Sequence, residues 1–399
     1  MIQPSGPSAL KIGIHNEPLS GGVGGSEISV ARLAAAFAKH HRVEIVHHKK
    51  TLTREQLAEY SGANLDAVSL RFVEPEPYTF GSSHNPWSRY KEARLWRASL
   101  SVPYDVFLSF VHGVPSFCHA PRGVLTVLFP LDDATYLQVD KQSSSLTALL
   151  KRAYHRWEWK QRLVGYQQRI AISHFTKEWT KRRWGIDCEV IYPPVDTSFD
   201  VEEKANLILS VGRFATEGHS KKQLEMLGAF KELTGDLREW EYFCVGGIDD
   251  SPAGREYFEK ASSIAGDTGA HVKANIDRDC LKSLYQRSKI FWHAAGFGDD
   301  EERQPELSEH FGIVTVEAMA AGCVPIVINK GGQREIVEHR VSGFVWDTLE
   351  ELKEFTLRVA RDEQLRMRMA DAARARAQMF STENFVKQYL RLLDLPMES

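Results

Sequence analysis

Short β-branched apolar runs alternate with longer amphipathic segments along both halves of the chain. That is the rhythm of parallel sheets assembled from βαβ units. In the first half, LKIGIH (10–15) reads as a strand and residues 21–25 as a glycine loop. SEISVARLAAAFAKHH follows as a helix with Ser26 as its N-cap, and then comes the strand RVEIVHH. DVFLSFV (105–111), GVLTVLF (123–129) and QRIAIS (168–173) continue the series. The second half restarts it with NLILSVG (206–212), a helix from about Lys221, EYFCVGG (241–247), KIFWHA (289–294) and CVPIVIN (323–329). Between the halves, VIYPPVDTSFDVEEKAN carries Pro193 and Pro194, which remove two backbone donors and stop a helix. The pattern predicts an α/β protein of two Rossmann-like domains, residues 1–195 and 196–380. Residues 381–399 are expected to form a C-terminal helix that crosses back to the first domain.

Composition narrows this picture only slightly. At 399 residues the chain has the length of two ordinary domains. A net charge of -3 gives no reason to expect nucleic acid as a partner. No apolar run approaches the roughly 20 residues needed to cross a bilayer, and MIQPSGPSALKIGI lacks the basic and apolar regions of a signal peptide. The five cysteines are scattered, with no C-x-x-C pair, which argues against disulfides and zinc and points to the cytoplasm.

Chemistry concentrates in SEHFGIVTVEAMAAGCVPIVINKGGQRE (308–335). A helix is expected to start near Gly312 and stop at Gly322. The N–H groups of Gly312, Ile313 and Val314 would then lie at the positive end of the helix dipole, a site suited to a diphosphate. Glu317 projects from an otherwise apolar helix, where a carboxylate needs donors, and two vicinal ribose hydroxyls would serve. Glu309 precedes the helix and could reach hydroxyls of a transferred group. Arg213 follows NLILSVG directly and Lys221 sits where the next helix starts. Loops at the carboxyl ends of parallel strands line one edge, so these cations can converge on a leaving diphosphate without a metal. Most Glu, Lys and Arg residues are ordinary surface charges. What singles these out is placement, a Gly-Arg at a strand end and a Glu inside an apolar helix.

The spacing E-x(7)-E within EHFGIVTVEAMAAG, followed by GGQREIV and SGF, resembles the GT-B retaining glycosyltransferases of the glycogen-synthase-like and mannosyltransferase-like group 1 family. The resemblance extends to GGVGGSE, ISHFTKEW, YPPVD, SVGRF and HSKKQLEMLGAF. It covers the C-terminal half almost throughout and the N-terminal half at scattered motifs. It implies a GT-B fold with two Rossmann-like domains facing each other across a cleft. It also implies that Arg213 and Lys221 bind the donor diphosphate, with Lys222 as the alternate for Lys221. Glu317 would then hold the ribose, Glu309 the donor sugar, and the amides of Gly312, Ile313 and Val314 phosphate. Glu309, Arg213 and Lys221 would form the catalytic set, and Gly24 and Gly25 would approach the donor phosphates. No cofactor or metal is expected beyond the nucleoside-diphosphate sugar itself.

The glycine loop is a poor dinucleotide fingerprint, because Glu27 stands where a third glycine belongs and RVEIVHHKK ends without a ribose-binding acid. Two features depart from the family. TVLFPLDDATY lacks the histidine often found there, leaving His112, Asp132 and Asp133 as weaker cleft candidates. GFGDDEERQPELS (296–308) is an acidic insertion, read as a solvated loop rather than a metal site of Asp299, Asp300 and Glu301. Residues 151–184 interleave ten Lys or Arg with Trp157, Trp159, Trp179 and Trp184. That composition suits either an anionic membrane surface or helices lining a cleft. The expected activity is retaining transfer of a hexosyl group to a saccharide or lipid-linked saccharide in cell-surface polysaccharide or glycoconjugate synthesis, in the cytoplasm or at the inner face of the membrane. A sugar-nucleotide epimerase and a non-catalytic carbohydrate-binding relative are the alternatives.

Overall fold

The structure, a computed structural model, describes residues 9–16, 24–74, 91, 94–95, 97–131, 146–200, 202–215, 220–248 and 251–396. The chain divides into two units, Met1–Pro194 with Val386–Ser399, and Val195–Phe385. Asp132 and Asp133 lie outside the described residues.

The first unit is built on seven strands: β1 (Lys11–Asn16), β2 (Arg42–His47), β3 (Val68–Phe72), β4 (Val106–Val111), β5 (Arg122–Val127), β6 (Gln168–Ala171) and β7 (Glu189–Val190). They form one parallel sheet in the order β3-β2-β1-β4-β5-β6-β7. The second unit holds β8 (Ala205–Val211), β9 (Glu241–Gly246), β10 (Ala270–Ala274), β11 (Ser288–His293), β12 (Val324–Ile328) and β13 (Phe344–Trp346). Their parallel order is β10-β9-β8-β11-β12-β13. Both sheets reverse their winding once, at β1/β4 and at β8/β11. Such a switch opens a crevice at the strands' carboxyl ends, where α/β proteins place ligands.

The strands expected from apolar runs are all present, and the four that no run announced, β3, β7, β10 and β13, are the four sheet edges. β4 is buried at every position, whereas β3 reads VSLRF and is largely uncovered. The first helix corrects one expectation. It runs Gly25–Ala38 with Gly24 as N-cap, so Ser26 lies in its first turn. The reason is Glu27, whose carboxylate accepts from the Gly24 N–H at 2.9 Å, the Ser26 hydroxyl at 2.8 Å and Asn16 Nδ2 at 3.1 Å. The terminal helix Thr382–Leu392 delivers Tyr389 into the first unit, where its hydroxyl meets Thr126 Oγ1 at 2.7 Å.

A buried polar chain crosses the carboxyl ends of the first sheet. His48 Nδ1 lies 2.8 Å from the Val73 carbonyl, which can only accept, so Nδ1 carries the proton. In the neutral state His48 Nε2 therefore accepts from His15 Nε2 at 2.9 Å, and His15 Nδ1 accepts from Ser109 Oγ at 3.0 Å. Ser116 and Tyr166 extend the chain. Burial, reinforced by the two rings' mutual repulsion, holds His15 well below the usual histidine range, and burial takes His48 down to about 4.

Among the described residues, the buried members of the basic, Trp-rich stretch are two tryptophans and one arginine. Trp179 and Trp184 are buried, and Trp159 packs edge-on against Trp184 at 5.0 Å. Arg162 is buried on Glu158 at 2.9 Å and stacks over Phe117. Lys181 and Arg182 are exposed farther on, and helix Leu146–Val164 exposes Leu146, Leu149, Leu150, Tyr154 and Trp157, with Arg156 and Lys160. Their spacing of three and four places the apolar members along one stripe.

Candidate active site

The second unit gathers its polar side chains where β8 and β11 end. β8 runs out at Val211, and the chain turns through Gly212 and Arg213. Gln223, fully buried, donates from Nε2 to both of their carbonyls, at 3.1 and 3.0 Å. This fixes the backbone that presents the exposed Arg213, which makes no ion pair among the described residues. A Cβ on Gly212 would lie 2.4 Å from Lys221 Cγ, so the lysine side chain passes directly across this glycine. Only a residue without a side chain leaves that room.

Lys221 ends on Glu309. Its Nζ lies 2.5 Å from Glu309 Oε2, and both side chains are about one-fifth exposed. The same oxygen accepts from His293 Nε2 at 3.2 Å. His293 is the last residue of β11 and is buried. Burial lowers its pKa against the opposing pull of Glu309, so the ring is neutral, its Nε2–H donates and its Nδ1 has no hydrogen-bond partner. His293 was absent from the sequence candidates. Its one signal is a polar ending to the apolar run KIFWHA at the carboxyl end of a central strand.

The Glu309 loop leads into helix Ile313–Ala320, capped by Gly312 at φ 129°. A Cβ at Gly312 would meet Gln333 Nε2 at 2.2 Å. Gln333, fully buried, locks the turn by donating to the Phe311 carbonyl and accepting from Thr315 Oγ1 at 2.9 Å. The Gly332 N–H donates to the Glu309 carbonyl at 2.7 Å. The GGQRE segment is therefore the clamp on the E-x(7)-E segment. The first ladder bonds are from the Thr315 and Val316 N–H groups to the Gly312 carbonyl, which leaves the Gly312, Ile313 and Val314 N–H groups without an intrahelical acceptor. Glu317 is half-buried, and Tyr285 donates its hydroxyl to Oε2 at 3.0 Å. Burial first and the Glu317 charge second push the Tyr285 pKa well up, which keeps it a donor.

Lys222 takes another direction and pairs with Asp299 at 3.0 Å. The acidic insertion is exposed over residues 302–304, as expected of a solvated loop, but its Asp299 and Glu301 are tied down. Glu301 Oε1 accepts from the Gly331 N–H at 2.6 Å and Ser308 Oγ at 3.1 Å, and Oε2 binds Arg334. Lys330 holds the Asp299 carbonyl, while Asp300 accepts from the Glu302 and Arg303 amides. Cations and amides already occupy these acids, and among the described residues no three His, Cys, Asp or Glu could hold a metal ion. Thus the structure brings Lys221, Glu309 and His293 into contact, runs Lys221 across Gly212, which precedes Arg213, and joins Glu317 to Tyr285. Gly24 and Gly25 cap the first helix of the other unit, and His112 follows β4 with its carbonyl accepting from the Leu131 N–H.

Residues 196–376 match the family described as glycosyl transferases group 1, and residues 23–199 match glycosyltransferase family 4. Among characterised relatives, a Dictyostelium discoideum GDP-Man:Man(3)GlcNAc(2)-PP-Dol alpha-1,2-mannosyltransferase is 29% identical over 238 residues, 55% of this chain and 45% of its own length. Human alpha-1,3/1,6-mannosyltransferase ALG2 is 29% identical over 252 residues, covering 56% of this chain and 57% of its own. The chain thus spans about half the length of these relatives. The fold is that of a glycosyltransferase from Rickettsia africae, with TM-score 0.68, 17% identity and coverage of 96% of this chain and 97% of that one. Anabaena Alr3699/HepE, solved in complex with UDP and glucose, gives TM-score 0.65 at 17% identity, covering 96% and 99%. The chain belongs to the GT-B glycosyltransferases, with a family 4 domain followed by a group 1 domain.

Proposed function

We propose that this protein transfers a hexosyl group, with retention and without a metal ion, from a nucleoside-diphosphate sugar to a saccharide or lipid-linked saccharide. The observation that carries the reading is the Lys221–Glu309 pair, formed three residues before the Gly312 cap of helix Ile313–Ala320, with Lys221 crossing Gly212 next to Arg213 in the chain. Two cations and three open amides match a diphosphate in charge and in donors. Glu317 would accept from the ribose hydroxyls with Tyr285 holding it in place, and Glu309 from a hydroxyl of the transferred sugar. In the reaction, the acceptor oxygen bonds to the anomeric carbon on the face from which phosphate departs. The carbon–oxygen bond to phosphate breaks with its electron pair passing to that oxygen, which then takes the acceptor's proton. Arg213 and Lys221 stabilise the charge developing there.

The mannosyltransferases among the relatives support mannose as the sugar to test first and a lipid-linked saccharide as the acceptor. Among the described residues no helix is long and apolar enough to cross a membrane. The exposed stripe Leu146, Leu149, Leu150, Tyr154 and Trp157, with Arg156 and Lys160, supports peripheral contact with an anionic bilayer. A thermal-shift panel of nucleotide sugars is the first test, since a ligand at 100 times its Kd adds about 2.7 kcal/mol. The stabilising donor is then assayed for transfer to a lipid-linked oligosaccharide with excess EDTA. We expect a GDP- or UDP-sugar to stabilise the protein and transfer to survive EDTA. No stabilisation by any donor overturns the reading. Loss in EDTA restored by magnesium or manganese overturns metal independence.

A further inference from the structure

Lys204 immediately precedes β8, at the amino edge of the second sheet, away from the carboxyl ends where Lys221 and Glu309 meet. Its ammonium donates to three carbonyls: Ala321 at 2.7 Å, Ser288 at 2.9 Å and Tyr285 at 3.2 Å. An ammonium has three N–H groups, so each finds an acceptor. Cys323 Sγ, 3.9 Å from the ammonium, donates to the Tyr285 and Ser288 carbonyls at 3.2 Å. Ala321 is the C-cap of helix Ile313–Ala320. Tyr285 lies in the last turn of helix Arg278–Arg287, and Ser288 is its C-cap. The last carbonyls of a helix lack intrahelical partners and carry the negative end of its dipole. One part-buried cation therefore fastens two helix ends to the start of β8.

These two helices carry Tyr285 and Glu317. The Tyr285 hydroxyl donates to Glu317 Oε2 at 3.0 Å, and Glu317 stands one turn before Ala321, whose N–H donates to its carbonyl at 2.9 Å. We infer that Lys204 is a positioning residue for ribose recognition, which fixes the Glu317 carboxylate by holding the Tyr285 and Ala321 backbones. The inference rests on the donor-site reading, in which Glu317 accepts from the ribose hydroxyls. A carboxylate that must meet two vicinal hydroxyls tolerates little displacement, and a misplacement of about 1 Å is costly to any oriented contact. Without the ammonium, the two helix ends lose their shared donor, and Tyr285 and Glu317 lose a common reference. Cys323 is a weak donor and replaces it only in part.

Calorimetry with GDP or UDP, whichever wild type binds, and with its 2′,3′-dideoxy counterpart isolates the affinity that comes from the ribose hydroxyls. Lys204→Met should weaken the ribose form about tenfold, the low end for a charge-assisted hydrogen bond, and leave the dideoxy form unchanged. In a Glu317→Gln background the same substitution should not move the ratio further. Lys204→Gln keeps two N–H donors on a side chain one bond shorter and should fall between. Tyr285→Phe leaves every Lys204 contact in place and should also lose the ratio, so the test does not depend on Lys204→Met folding. A merely structural lysine would lower the melting temperature of Lys204→Met with the ribose-to-dideoxy ratio intact, and that result overturns the inference while the donor site stands. Equal weakening of both nucleotides overturns it too, as does a wild-type ratio in Tyr285→Phe. A wild type with no preference for the ribose form removes Glu317 from the ribose and the inference with it. Failure of wild type to bind either nucleotide removes the donor site as well.

Discussion

At the scale of single residues, the proposed donor site works through donors and acceptors held from behind by buried partners. Arg213 is aimed by Gln223, Glu317 by Tyr285, and the Gly312 turn by Gln333. Arg213→Ala should weaken nucleoside-diphosphate binding by about 1.5 to 3 kcal/mol, the value of a charge-assisted hydrogen bond. Glu317→Gln keeps volume and still accepts from Tyr285, but it turns one oxygen into a donor facing a ribose hydroxyl. Donor affinity should fall by about 1 to 3 kcal/mol while the melting temperature holds. Calorimetry and thermal melts on the same samples decide the matter, and wild-type affinity in both variants would remove these residues from the site. Arg213, Lys221, Glu309 and Glu317 could be picked out because each breaks a local pattern, a cation at a strand end or an acid in apolar surroundings. His293 leaves only the signal of a polar residue near the end of an apolar run, and Tyr285 and Gln333 leave none. They look like ordinary members of a strand or helix until the fold shows what they touch.

At the scale of elements, burial decided which strands could be read. Central strands are covered on both faces, so their sequence is a continuous apolar run. Edge strands such as β3 and β10 (AHVKA) are half-open and mixed, and they pair only because a neighbour is already there. The carboxyl ends of β1, β2 and β4 carry a stability prediction of their own. His15 and His48 share one N–H between two ring nitrogens, so protonating His48 sets N–H against N–H, and protonating His15 puts a donor on Nδ1 where Ser109 had donated. Their folded pKa values lie below the unfolded value near 6.5, so the unfolded chain binds more protons as pH falls. Stability is whole above about pH 6.5 and declines toward pH 4, by about 3 kcal/mol for His48 alone. Thermal unfolding from pH 8 to 4.5 should show the decline, and His48→Gln should flatten it. A flat wild-type profile would mean that the pair accommodates a proton. His47, next in sequence and also held below the usual histidine value by burial, adds to the wild-type slope.

At the scale of the whole molecule, one composition signal divided into two physical roles. Ten cations and four tryptophans between 151 and 184 suited either a membrane surface or helices lining a cleft, and Trp159, Trp179 and Trp184 bind elements of the first unit together. The exposed apolar stripe begins earlier, at Leu146. Liposome co-sedimentation should show binding to anionic vesicles that salt weakens, and Trp157→Ala with Leu150→Ala should reduce it by about a hundredfold or more, since each buried side chain contributes roughly 1.5 to 3 kcal/mol. Absence of binding at low salt would assign the stripe to another contact.

Sequence alone determined the class of fold, the alternation of strand and helix in both halves, and the helix that opens at Gly312. Each of these rests on the period of apolar residues over a few turns, a property carried within one segment. Tertiary structure decided which side chains meet. Lys221 and Glu309 are 88 residues apart, Tyr285 and Glu317 are 32 apart, and His293 and Glu309 are 16 apart. No local pattern encodes such pairs, because they arise only where parallel strands deliver their carboxyl ends to one edge of a sheet. The same folding that assembled the cations also paired Lys221 with Glu309, which no reading of separate motifs could reveal.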